Sequence, residues 1–183
     1  MGRVSQAQAQ ENRARVVAAA ARLFREQGTD VSVADVMKAV GLTHGGFYKQ
    51  FASKEALVEE ATALAFTEQR ELRARQDDAH DGQRDAARQG LIDWYLSAEH
   101  RDCPADGCPS AGLAVDMARD ENEAAARKTY AEGVGEFADW LAVEGEDDGL
   151  VRLSTMVGAL LLARATRGTA LSEDFLDAAH KAL

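Results

Sequence analysis

Proline and cysteine are nearly missing. The chain has two of each in 183 residues, and all four fall in one nine-residue stretch, DCPADGCPS, as Cys103, Pro104, Cys108 and Pro109. So few cysteines exclude a disulfide scaffold, and so few prolines leave long helices uninterrupted. Alternating β-branched runs of strand length are lacking as well, whereas Ala is frequent and 46% of residues are hydrophobic, so the expected fold class is all-α. No apolar run reaches the roughly 18 to 20 residues of a membrane span. The start, MGRVSQAQAQENR, has no apolar core like that of a secretion signal, and Gln6 breaks the myristoylation pattern after Gly2. The expectation is a soluble, cytoplasmic protein with no membrane partner. Missing too are a phosphate-binding glycine loop, a nucleophile elbow and an HExxH pair. The paired carboxylates Asp147 and Asp148 sit in a charged linker and read as solvation, so neither an enzyme nor a cofactor is expected.

Charge is present but unevenly divided. The net charge of −10 argues against a nucleic-acid partner until the chain is split at residue 54. Residues 1–54 hold eight Lys or Arg and four acids, a net +4, while the remainder carries −14. One end can approach phosphate and the other repels it.

Helical periodicity organises what remains. Val16, Ala20, Leu23 and Phe24 mark one face of a first helix over about 6–27, stopped by Gly28. Ser32 with Asp35 gives a capping-box signature for a helix over 33–40. Gly41 then permits a turn, Thr43 caps a short third helix, and Ser53 with Glu55 opens a fourth that runs from 54 to about 76. Ala87, Leu91, Trp94, Tyr95 and Ala98 form the stripe of a fifth helix. A short helix follows over 111–119, and Asp120 with Glu123 caps the next, which carries Tyr130, Val134, Phe137 and Leu141. The segment 150–165 is apolar nearly all round, and Ser172 is read as the cap of a last helix with Phe175, Leu176, Ala179 and Leu183 inward. About nine helices result. The last two exceed what so small a body can cover alone, which implies a homodimer joined as a four-helix bundle.

The segment SVADVMKAVGLTHGGFYKQF, residues 32–51, has the layout of a helix-turn-helix, with Val33, Val36, Met37 and Val40 on its first helix and Leu42 and Phe47 packing the second against it. Together with SKEAL at 53–57 it closely resembles the N-terminal domain of the TetR/AcrR family of transcriptional repressors, in particular a branch reading LTHGGFY in the recognition helix. The strong match spans about residues 15–61. Met37 departs from the family pattern, which more often has Ala there; a flexible Met can fill that space. The resemblance implies an all-α homodimer, with a DNA-binding domain at 1–54 and an effector-binding and dimerisation domain at 55–183. It also implies a repressor that binds a palindromic operator in double-stranded DNA and is released by a small molecule.

By the same resemblance Thr43, His44, Gly45, Gly46, Tyr48 and Lys49 face DNA, with Lys54 supplying a further charge and Ser32 a secondary phosphate contact. His44 is the candidate base reader, and the two glycines let backbone approach closely. Phe47 and Phe51 read as core. In the body, Trp94, Tyr95, His100, Met117, Tyr130, Phe137 and Trp140 are each ordinary core candidates that as a group outline an apolar or aromatic effector pocket. His100, Cys103 and Cys108 form an H-x2-C-x4-C set without a fourth ligand, so no metal is expected. For Cys103 and Cys108 two readings remain: packing around a proline-fixed turn, or a thiol sensor of redox or electrophile signals. Asp102 and Asp106 disfavour the second.

Overall fold

A computed structural model describes residues 6–119, 124–145 and 148–183. The described residues form ten α-helices and two 3₁₀ helices and contain no strand. The head comprises α1 (Gln6–Gln27), α2 (Val33–Ala39) and a 3₁₀ helix, His44–Lys49. Its stops and starts are local chemistry. Gly28 closes α1 at φ 87° and Gly41 turns the chain at φ 70°, a region that favours glycine. The Ser32 hydroxyl accepts from the Asp35 backbone N–H at 3.1 Å and donates to the Asp35 carboxylate at 2.6 Å. Ser53 accepts from the Ala56 N–H at 3.2 Å and starts α3 (Lys54–Ala79).

The 26-residue α3 leaves the head and becomes one wall of the body. The body adds α4 (Arg84–Tyr95), α5 (Ala98–Asp102), a 3₁₀ turn at Pro104–Asp106, α6 (Pro109–Gly112), α7 (Ala114–Arg119), α8 (Ala124–Leu141), α9 (Gly149–Ala165) and α10 (Ala170–Ala182). The surplus over about nine helices arises because the stretch from 98 to 112 breaks into three short pieces.

Three details differ from the sequence reading. The fifth helix ends at Tyr95, so Ala98 starts a new helix and is exposed rather than continuing the buried stripe. Thr43 occupies the position before the short head helix but makes no side-chain capping bond. Ser172 lies inside α10, which begins at Ala170; its hydroxyl is buried and donates to the Ala163 carbonyl at 2.7 Å, fastening α10 to α9. The Asp120 and Glu123 cap, and Asp147 of the linker, fall outside the described residues.

Two apolar cores result. The first joins Val16, Ala20 and Phe24 of α1 to Val36, Met37, Phe47 and Leu57, and reaches Leu113, Met117 and Ala126 of the body. The second fills the space between α4, α8, α9 and α10 around Leu91, Tyr95, Phe137, Leu141, Met156 and Leu160. Between α3 and α8 the Phe66 ring lies directly against the Gly133 backbone. A Cβ at Gly133 would stand 2.3 Å from the Phe66 ring, so only glycine fits there.

Candidate DNA interface and effector cavity

The head presents a short projecting helix. Phe47 is fully buried, stacked on Phe51 at 5.2 Å, and acts as the root that holds this helix to α2. Thr43, His44, Gly45 and Lys49 are exposed, and Tyr48 is 67% exposed with its ring edge-on to Phe47. His44 lies 6.0 Å from Tyr48, ring to ring, so an imidazole and a phenol share one small outer face, with the exposed Lys49 next along the chain. Gly45 has open space where a side chain would be. Gly46 is half-buried, with its missing Cβ position 3.6 Å from Met37 Cε, so it serves packing against α2. Met37 itself is fully buried and fills that space. Lys54 is half-buried at the start of α3, and Ser32 has its hydroxyl committed to the α2 cap.

The head is also braced. Arg13 pairs with Glu60 of α3 and lies 4.6 Å from the centre of the Phe51 ring, while Arg15 donates to the Val40 carbonyl at 2.8 Å. These contacts tie α1 to α3, to the end of α2 and to the segment that follows the short helix.

In the body, α3, α4, α8 and the turn at 106–109, with Arg25 of α1, line a cavity of about 320 Å³ that opens to solvent beside Glu71 and Arg75. Of the residues expected to form an effector pocket, Trp94, Tyr95 and Phe137 line it. His100 lies behind this wall. Its ring stacks on Trp94 at 4.4 Å and is edge-on to Tyr95. Nδ1 donates to the Tyr95 carbonyl at 2.8 Å, and Nε2 accepts the Cys108 backbone N–H at 3.1 Å. Burial lowers the His100 pKa to about 4, so the ring is neutral and both nitrogens are engaged. Met117 belongs to the head core. Tyr130 packs edge-on against Phe66, and its hydroxyl donates to the Ser110 carbonyl at 2.7 Å; burial pushes its pKa up to about 12. Trp140 faces Asp77, to which its indole N–H donates at 3.1 Å.

The two cysteines are separated in character. Cys103 is exposed and Cys108 is buried on the cavity wall, and both are free thiols. With His100 held by backbone groups, the H-x2-C-x4-C set does not converge.

Sequence reasoning passed over the polar part of the wall. Gln69 and Arg73 of α3 are buried and line the cavity. They continue the inward phase of Leu57, Ala61 and Ala65 at four-residue steps, so polar residues at core positions of a helix were the readable signal. Also unforeseen is the link from cavity to head. Just past the cavity-lining Cys108 and Pro109, Gly112 packs on the Arg25 backbone, where a Cβ would stand 3.0 Å from its carbonyl oxygen. Asp116 then accepts from the Thr29 N–H at 3.2 Å and hydroxyl at 3.3 Å.

A helix-turn-helix head carried by a helical body with a cavity is the layout of a class of transcription regulators. Residues 16–61 match the family of bacterial regulatory proteins called the tetR family. A TetR transcriptional regulator from Chloroflexus aurantiacus has a similar crystal structure, with a TM-score of 0.78, 27% identity, and 97% of this chain and 94% of that one covered. A TetR-family regulator from Agrobacterium tumefaciens gives 0.77 and 18% identity over 96% and 98% of the two chains. The reduced form of NemR from E. coli gives 0.68 and 18% identity over 92% and 95%. Curated proteins give no sequence match. The head matches the tetR family and the overall fold is similar to that of TetR-family transcriptional regulators. Among the described residues no helix is long and apolar enough to cross a membrane.

Proposed function

We propose that the chain is a repressor of the branch reading LTHGGFY, binding a palindromic operator as a homodimer and leaving it when a small molecule enters the body cavity. The observation that carries this reading is the outer face formed by Thr43, His44, Tyr48 and Lys49 on the positively charged end of an acidic chain. In this reading Thr43 and Tyr48 hydroxyls and the Lys49 ammonium hold phosphates, and His44 reads a base edge. Gly45 leaves room for the backbone to approach. Lys54 adds charge, and Ser32 serves the α2 cap in place of a phosphate contact, its one hydroxyl proton being given to Asp35. The working division is a DNA-binding domain at 1–54 and an effector and dimerisation domain at 55–183, joined by α3.

Dimerisation is supported by α9. Val151, Thr155, Gly158, Leu162 and Ala165 recur along one face of it; Val151, Leu162 and Ala165 are exposed, and Gly158 has open space beside it. An apolar stripe with a small residue at its middle suits close helix packing against a second copy. Release requires a ligand with different affinity for the DNA-bound and free states. The turn at 107–109, Gly112 on Arg25 and Asp116 on Thr29 supply a direct connection between cavity and α1.

Fluorescence anisotropy with a duplex from the chain's own upstream region tests the reading. Binding in the nanomolar range that weakens steeply with salt, and a scrambled duplex bound far more weakly, are expected. Equal affinity for both duplexes would sink specific repression.

A second reading rests on Cys108. Its sulfur accepts from Gln69 Nε2 at 3.2 Å on the cavity wall, which favours a thiol-based response to redox or electrophilic compounds, with the exposed Cys103 as its partner. Replacing both cysteines with Ser decides it: a DNA-binding response to oxidants and aldehydes that persists in the variant rules the thiols out.

A further inference from the structure

The cavity wall is apolar along Leu72, Leu91, Trp94 and Phe137, but one patch is polar and incompletely satisfied. Arg73 is 6% exposed, donates to Gln69 Oε1 at 3.2 Å, and lies 5.2 Å from the centre of the Phe137 ring. Among the described residues no carboxylate forms an ion pair with it. Burial lowers its pKa from the usual guanidinium value, partly offset by the more distant charge of Glu136. A guanidinium nonetheless stays protonated, so a buried charge stands without a counter-ion.

The second observation is independent of charge. Tyr95, 1% exposed and on the cavity wall, has a hydroxyl with no hydrogen-bond partner. The Cys108 thiol adjoins it but not in hydrogen-bond geometry. A buried hydroxyl without a partner is costly, and a ligand oxygen would relieve it. The other cavity cation that is deeply buried, Arg25, is already paired with Glu68 at 2.8 Å, so Arg73 is the uncompensated one.

We propose that the body cavity is a binding site for a small organic monoacid, its carboxylate held by Arg73 and the Tyr95 hydroxyl and its apolar or aromatic body packed on Leu72, Leu91, Trp94 and Phe137. The planar two-oxygen geometry of a carboxylate matches the guanidinium fork. A dianion such as a phosphate monoester would bring a second charge that no buried cation of the wall is free to meet, Arg75 being exposed to solvent at the rim. The volume of about 320 Å³ is at the small end of ligand sites and fits a single ring or a short chain. This proposal deepens the effector reading above and rests on it for the regulatory consequence, though not for binding itself.

The test is calorimetric titration of the full chain with 3-phenylpropionate and octanoate, each against its primary amide, a neutral match in size and shape. Each acid is expected to bind at least about tenfold more tightly than its amide. Arg73→Met should abolish that preference while amide binding stays within about twofold, and Tyr95→Phe should weaken the acids alone by several-fold. The wild-type comparison stands even where a variant fails to fold. Amides binding as well as the acids, no binding of either, or an acid preference that survives in folded Arg73→Met would each overturn the proposal. Acids that bind with the stated preference yet leave operator affinity unchanged would uphold the subsite and count instead against the ligand-release reading.

Discussion

The head and the body solve opposite problems. The head packs on a core it shares with α7 and α8 and puts its chemistry outside: Phe47 is buried so that Tyr48 beside it can be exposed. The body puts its chemistry inside, around a space that the fold leaves unfilled, and tolerates there a guanidinium without a counter-ion and a hydroxyl without a partner. Charge follows the same division, +4 over residues 1–54 against −14 over the rest. A surface that meets a polyanion can be satisfied by that partner and by water, whereas a buried polar group must be satisfied by the fold or by a ligand.

The contrast can be broken or sharpened in four ways, from the largest expected effect to the smallest. In the body, His100 is held neutral with a pKa of about 4, against 6.5 for an ordinary imidazole. The unfolded chain therefore binds a proton that the folded one refuses as pH drops below about 6.5. Stability is complete above that value and is lost progressively down to about 4, by an amount on the order of 3 kcal/mol. Urea unfolding between pH 7.5 and 4.5 should show this slope, and His100→Gln should flatten it. An unchanged slope in that variant would mean that other groups carry the acid sensitivity.

In the head, the double variant Tyr48→Ala, Lys49→Ala should lose about 100-fold in operator affinity, with an unchanged melting temperature because both side chains are exposed. A large drop in melting temperature would instead make these residues part of the core. Within the body, where α8 packs on α3, Gly133→Ala drives a methyl group into the Phe66 ring. A loss of about 2 kcal/mol is expected, read as a lower denaturant midpoint. The smallest effect belongs to Ser32→Ala, which removes the α2 cap and should cost about 1 kcal/mol. Operator affinity should fall only as far as that loss of helix order dictates, since the Ser32 hydroxyl is occupied within the fold.

The same division explains what could be read from the sequence. The head was legible because its determinants are local: Gly28 and Gly41 at positive φ, Ser32 and Ser53 as caps, and the spacing of Val36, Met37 and Phe47 all act within a few residues. Two details of the short helix were not legible, the packing of Gly46 on Met37 and the absence of a side-chain cap at Thr43, because both depend on how that helix settles on α2. The body was legible as helices but not as a site. Aromatic residues were a fair guide to burial and a poor guide to the cavity: Trp94, Tyr95 and Phe137 line it, but Tyr130 and Trp140 spend their polar atoms on Ser110 and Asp77 elsewhere. The residues that give the cavity its chemistry, Gln69 and Arg73, look like surface residues until the helical phase from Leu57 is followed down α3. The DCPADGCPS stretch, conspicuous by composition, turns out to contain both an exposed thiol and a buried one. Its end forms the cavity wall and leads directly into the contacts of Gly112 and Asp116 with α1.

The most direct test of the central claim, that the face around His44, Tyr48 and Lys49 reads a specific operator, is selection of bound duplexes from a random pool followed by sequencing. The account predicts enrichment of one palindromic motif by the wild-type chain and none by Tyr48→Ala, Lys49→Ala. A pool that stays random with the wild-type chain, or the same motif recovered with the double variant, would contradict it.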